Sequence, residues 1–233
     1  MVSKATHLVL FDKYKQLLLN PKGFFNAVKK ESSYHPAIFF LVVLILTTTI
    51  INILITLPLI LQGIGSFASV TWAAQLLTLI YLPIFAIIQV SLAALIIFGI
   101  LALFKIKHNT YTSNFKIVAY THTISLVYSI VGTFLVLGAE ILTGQSVNDM
   151  LVAVFSGALA SASAMAIIYL LLAIPLTIAS WVHTLWAMMY GFTREYDLKK
   201  HSAVLLSIFS LLFSFFILLF VISQIPVFEK MLD

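Results

Sequence analysis

From Met150 to Phe192 the chain carries no Asp, Glu, Lys or Arg. A fold in water needs charged side chains at intervals to cover its surface. A run of this length therefore points to lipid as the solvent. A hydrocarbon core of about 30 Å takes roughly 20 apolar residues per helix. Further apolar runs cover about 37–61, 74–104, 115–138 and 203–225. The uncharged region from Met150 is long enough for two short spans, or for one span over 163–190 with an interfacial helix before it.

Composition agrees with this reading. Hydrophobic residues make up 62% and charged residues 9% of the 233 residues, against roughly 45–50% and about 25% in a soluble domain. Mean hydropathy is +1.11. There is no cysteine, which excludes disulfides and thiolate metal sites. The first apolar run starts too far in for a cleavable signal peptide.

Charge placement decides between five and six spans. Five spans put residues 1–35, 105–116 and 193–200 on one side. These segments hold Lys4, Lys13, Lys15, Lys22, Lys29 and Lys30; Lys105, Lys107 and Lys116; and Arg194, Lys199 and Lys200. That is every Lys and Arg of the chain except Lys230. The opposite segments carry Glu140, Asp149, Glu229 and Asp233. The positive-inside rule then places the N-terminus in the cytoplasm and the C-terminus outside or in a lumen. The expected fold is all-α: an integral membrane bundle of five transmembrane helices.

Residues 1–35 read as a cytoplasmic amphipathic segment, and residues 36–233 as the membrane domain. Leu10, Tyr14, Leu17 and Leu18 can share one helical face, with Lys13, Lys15 and Gln16 mostly elsewhere. Asn20-Pro21 reads as an N-cap followed by proline at the first helical position. The helix it opens carries Phe24, Phe25 and Val28, then Lys29 and Lys30. Basic residues beside aromatics suit a helix lying on an anionic leaflet; a solvated linker is the plainer alternative.

Three stretches resemble one family. NPKGFFNAVKKE at 20–31 resembles the opening of Yip-domain proteins, the Ypt/Rab-interacting multi-pass membrane proteins. NFKIVAY at 114–120 resembles that family's approach to the third span. YGFTREYDLKKHSAVL at 190–205 resembles its connection between the fourth and fifth spans. The region before the third span reads Lys107-His108-Asn109-Thr110-Tyr111, where family members often have a glycine pair. The long N-terminal tail of eukaryotic members is absent, so the chain looks like a compact prokaryotic-type member. The resemblance implies a role in membrane organisation or trafficking, through protein partners on the cytoplasmic face.

No motif points to catalysis. No H-E-x-x-H or other metal spacing links the histidines, and no Gly-rich phosphate loop is present. No Asp or Glu is expected within a span to orient a base. No catalytic, metal or cofactor-binding residue, and no nucleic-acid partner, is expected. Polar residues inside spans are the remaining candidates. His122, Ser125, Ser129, Thr133 and Glu140 recur at helical spacing on the third span, and Ser180, His183, Thr184 and Ala187 do so on the fourth. In this topology His122 and His183 can meet. They can line a hydrated path, or they can be neutral interhelical glue, where each bond is worth about 0.6–2 kcal/mol. Asn52 and Gln89 read the same way. SGALASASAMA at 156–166 has small residues four apart, suited to close packing within the chain or to a homo-oligomer seam. Pro58, Pro83 and Pro175 fall within or near spans.

The sequence therefore suggests a non-enzymatic membrane scaffold or adaptor. Its contacts with lipid or a protein partner would be Lys22, Lys29, Lys30, Arg194, Lys199 and Lys200. The alternative is a small transporter, channel or lipid-moving protein that uses the polar face of His122, Ser125, Ser129, Thr133 and His183.

Overall fold

The computed structural model describes residues 4–62, 72–143, 164–213 and 216. Among these residues the regular structure is entirely helical. In chain order the helices are α1 Lys4–Leu19, α2 Pro21–Val28, α3 His35–Gln62, α4 Trp72–Leu103, α5 Tyr111–His122, α6 Ile124–Thr143, α7 Ala164–Tyr196 and α8 Lys200–Phe213. Four segments are long and apolar enough to cross a membrane: His35–Leu57, Leu77–Leu103, Tyr111–Leu142 and Ile167–Tyr196. The third combines α5 and α6. This is the architecture of a multi-pass helical membrane protein. The predicted fifth run is met by α8, and its residues from 217 to 225 lie outside the described residues, as does the 156–163 part of the small-residue stretch.

Two predicted boundaries change, and both changes bring a carboxylate into a helix. The third run was expected to end at 138, with Glu140 beyond it. Instead α6 continues to Thr143, and Glu140 is fully buried. The fourth was expected to end at 190, yet α7 continues to Tyr196 and carries Arg194 and Glu195 in its last turn. The expectation that no Asp or Glu sits within a span is therefore wrong. Nothing in Gly138-Ala139-Glu140-Ile141 or Thr193-Arg194-Glu195 stops a helix, so each runs on to the next breaker.

The chain forms two compact units. The first comprises Met1–Leu41, Ile84–Ile124 and His183–Asp233, and the second Val42–Pro83 and Ser125–Val182. Every Lys and Arg falls within the residue ranges of the first unit, and the second contains none.

In the first unit the burial pattern is that of a protein in lipid. Along α4, Ala86, Val90, Ala93, Ala94, Ile97 and Leu101 are buried, while Ile84, Ile88, Leu92 and Leu95 are exposed. The three alanines among them face the protein, and large apolar side chains face out. That is costly in water, and in hydrocarbon it lets helices approach closely.

The N-terminal helices pack onto this unit. Asn20 caps α2, its side-chain oxygen accepting from the Gly23 backbone N–H at 3.0 Å, with Pro21 in the first turn. A side chain at 23 would strike Asn20, so glycine there permits the cap. The apolar face of α2 is used inside the protein. Phe24, Phe25 and Val28 are buried, and the Phe24 ring packs edge-on to Tyr120 at 5.0 Å. Gly191 of α7 lets this cluster close. A Cβ there would lie 2.9 Å from Ile117 Cγ2 and 3.2 Å from Phe25 Cζ. Isoleucine is branched at Cβ and stiff at χ1, so it yields poorly.

Gly191→Ala is expected to destabilise the protein by about 1–3 kcal/mol through overpacking. Thermal unfolding in detergent or nanodiscs reads this directly. An unchanged midpoint would mean that Ile117 gives way at no cost.

Candidate functional site

Helix α5 is buried on all sides, from Ser113 to Thr121. Such a helix should be uniformly apolar, yet it carries Ser113, Asn114, Lys116, Tyr120 and Thr121. A buried polar group is tolerated only when it is bonded, and each of these is. Ser113 donates to the Glu195 carboxylate. Asn114 donates to Asn109 Oδ1 at 2.9 Å and to Thr110 O at 3.1 Å, and accepts from Tyr196 Oη at 2.8 Å. Thr121 donates to Ile117 O at 2.8 Å.

Lys116, only 3% exposed, sends its ammonium to Glu31 O at 2.8 Å and to Val28 O at 3.4 Å. These carbonyls lie at and just past the end of α2. The last carbonyls of a helix lack intrahelical partners and carry its negative dipole end, so a buried cation is favoured there. His183 does the same for α1. Its Nε2 lies 3.0 Å from Leu18 O. A carbonyl can only accept, so Nε2 carries the proton in this contact. Tyr14 of α1 donates to Thr123 O at 2.7 Å, at the junction of α5 and α6.

Between these anchors lies an ionic cluster. Lys13 pairs with Glu31 at 2.7 Å and donates to Tyr120 Oη at 2.7 Å. Tyr120 donates in turn to Glu31 Oε2 at 2.8 Å. The Lys13 ammonium also sits 4.7 Å from the Tyr120 ring centroid, a cation–π distance. Lys13 was expected to lie away from the packed face of α1, and the structure turns it inward beside the buried Leu17.

The predicted basic contacts all fall in this first unit. Lys22, Lys29, Lys30, Lys199 and Lys200 are exposed. Lys29 donates to Arg194 O at 2.8 Å, which joins two of the predicted residues. Arg194 Nε is buried and takes no partner among the described residues.

The predicted intramembrane face is divided between the units. His122 and His183 belong to the first, with His122 half-buried on the last turn of α5 and His183 engaged with Leu18 and, at 5.8 Å, the Trp186 ring. Ser125, Ser129 and Thr133 belong to the second. There Ser125 and Ser129 line a cavity of about 260 Å³ with Tyr128, Tyr169, Thr177 and Ser180. Thr133 lines another, of about 480 Å³, with Thr49, Asn52, Thr56 and Thr78. Neither histidine lines either cavity.

Sequence reading missed Lys116, Lys13, Glu31 and Tyr120 as a connected set. A signal was present, since Lys116 and Tyr120 are four apart on one helical face inside an apolar run. Glu31, their partner three residues past the end of α2, is remote in sequence. Among the described residues no group of three or more His, Cys, Asp or Glu is placed to hold a metal ion. Comparison with known proteins gave no matching family model, no matching curated protein and no matching solved structure.

A double-mutant cycle on Lys13→Met and Tyr120→Phe is expected to show a coupling energy of about 1 kcal/mol, because the two share Glu31. Additive effects would show that the hydroxyl and ammonium act independently.

Proposed function

We propose that this chain is a non-enzymatic membrane scaffold or adaptor of the Yip type, which presents a basic cytoplasmic face to anionic lipid and a protein partner. The observation that carries this reading is the segregation of charge. All Lys and Arg lie in the ranges of one unit, with Lys22, Lys29, Lys30, Lys199 and Lys200 exposed. Juxtamembrane lysines attract an anionic leaflet by about 1 kcal/mol each. Lys29 is tied to the Arg194 carbonyl at 2.8 Å, which links the α2 end of this face to the α7 end.

In this reading the chain has five spans, with the N-terminus cytoplasmic and the C-terminus outside or lumenal. The apolar sequence after α8 supports a fifth crossing, since it continues to about 225. An interfacial α1 is supported by Phe11 and Leu19, eight residues apart and both exposed, with Lys15 between them. These side chains would enter the headgroup region while Leu17 holds the helix to the protein.

Two measurements test the proposal. Reversal of Lys22, Lys30, Lys199 and Lys200 to Glu should weaken binding of the solubilised protein to anionic vesicles, and its partner pull-down, by tenfold or more; Lys29 is spared because it supports Arg194. Unchanged binding would remove this face from the function. Because the chain has no cysteine, single cysteines at 22, 107 and 199 should all label from the cytoplasmic side, and a C-terminal tag only from the other. A tag reachable from the cytoplasm would eliminate the fifth span.

The second reading is a small transporter, channel or lipid-moving protein. It is favoured by the two hydroxyl-lined cavities in the second unit, which take in Ser125, Ser129 and Thr133. It predicts solute or lipid flux in proteoliposomes.

A further inference from the structure

The second unit combines three features that scaffolding does not need. The first is the cavity of about 480 Å³ that has Thr49, Asn52 and Thr56 of α3, Thr78 of α4, and Gly132 and Thr133 of α6 in its wall, with Ile53, Leu82 and Val136 completing it. Thr49, Asn52 and Thr56 recur at spacings of three and four, so α3 turns one polar face to it.

The second is the direction of its hydrogen bonds. A threonine hydroxyl has one proton and two lone pairs. Thr49 gives its proton to Ile45 O at 2.8 Å, Thr56 to Asn52 O at 2.9 Å, and Thr133 to Ser129 O at 3.0 Å. With those protons committed to their own helices, the three hydroxyls have only lone pairs left to offer. Asn52 Oδ1 is buried and accepts no hydrogen bond from any described residue. An orphaned buried acceptor is costly until a partner completes it. Four neutral oxygens with lone pairs to offer therefore belong to residues that border the same space.

The third is charge. The ranges of the second unit contain no Lys or Arg, and their acidic residues are Glu140 and Asp149. Glu140 is fully buried on α6, two turns beyond Thr133 and on the same side of the helix. The unit thus offers an anion no Lys or Arg partner and sets no fixed Lys or Arg charge against a positive guest.

We propose that this cavity is a binding site for a small monovalent cation, of the alkali-metal or ammonium class, with Asn52 Oδ1 and the hydroxyl oxygens of Thr49, Thr56 and Thr133 as its ligands. Neutral oxygen dipoles suit an ion of single charge that keeps part of its water shell. A divalent ion asks for carboxylates, and no Asp or Glu lines this wall. The volume leaves room for the ion with several waters. Binding is the claim, and it stands apart from both the scaffold and the flux readings.

The test is thermal unfolding of the full chain in nanodiscs at constant ionic strength, in sodium, potassium, rubidium or ammonium chloride against N-methylglucamine chloride, whose cation is too large to be held by these oxygens. At about ten times Kd, the favoured small cation should raise the midpoint by about 3–6 °C. Asn52→Leu should abolish that difference, and Thr133→Val should reduce it. Asn52→Asp should enlarge it, which a purely structural asparagine would not do. If Asn52→Leu fails to fold, Thr133→Val and Asn52→Asp still decide. Equal midpoints in every salt, as for a cavity holding water alone, would overturn the site, as would a shift that persists in the variants. Flux in proteoliposomes separates the readings. An ion-specific shift without flux supports the site and removes transport, whereas absence of the shift removes the site whatever the flux.

Discussion

The first unit depends on a buried ammonium group. Lys116 sits in a helix enclosed on every side and holds the carbonyls of Val28 and Glu31. Withdrawing an ammonium from water costs several kcal/mol unless other groups replace its solvent. The end of α2 supplies those groups, and α2 gains a cap in return. That requirement positions α2, which then places Phe24 and Phe25 against α5 and α7 and leaves Lys22, Lys29 and Lys30 exposed. The exposed basic face is thus a consequence of a buried basic residue. His183 fastens α1 by the same means, through Leu18 O. In both cases the terminus of a short N-terminal helix is satisfied by a side chain from a segment long enough to cross the bilayer.

The second unit solves a different problem. Its described helices carry hydroxyls and amides without a Lys or Arg to organise them. Threonine and serine avoid exposing donors in an apolar medium by back-bonding to the turn before, as Thr49, Thr56, Ser129, Thr133 and Thr177 do. This makes each hydroxyl acceptable in lipid and turns its remaining lone pairs outward from the helix. A cavity bordered by such residues acquires an acceptor character that no single residue specifies. Gly132 lines both cavities of this unit, and a Cβ there would meet only Leu176 Cδ2, at 4.0 Å.

Much of the architecture was legible in the residues. The crossing segments announced themselves because bilayer thickness sets a length that few other structures demand. The Asn20-Pro21 start of α2 was equally plain, since capping is a local matter. The helix ends at Thr143 and Tyr196 were less so. Glu140 and Arg194 looked like the polar edge of a loop, and hydropathy cannot distinguish a charge outside the membrane from one buried inside a bundle. Spacing alone draws His122, Ser125, Ser129 and Thr133 into one face, across what the structure makes the junction of α5 and α6. Yet its members belong to two compact units, and His183 serves a helix terminus.

What the sequence determined by itself is the solvent and the periodicity. Long uncharged runs require lipid, and spacing along each run assigns residues to faces. Only the tertiary structure decided which polar groups are paired. Lys13, Glu31 and Tyr120 meet across separations of 18, 89 and 107 residues, and nothing local encodes such a meeting. The physical reason is that an isolated helix satisfies its own backbone but not its ends or its buried side chains. Those are satisfied by whatever packing brings near, and packing belongs to the whole fold.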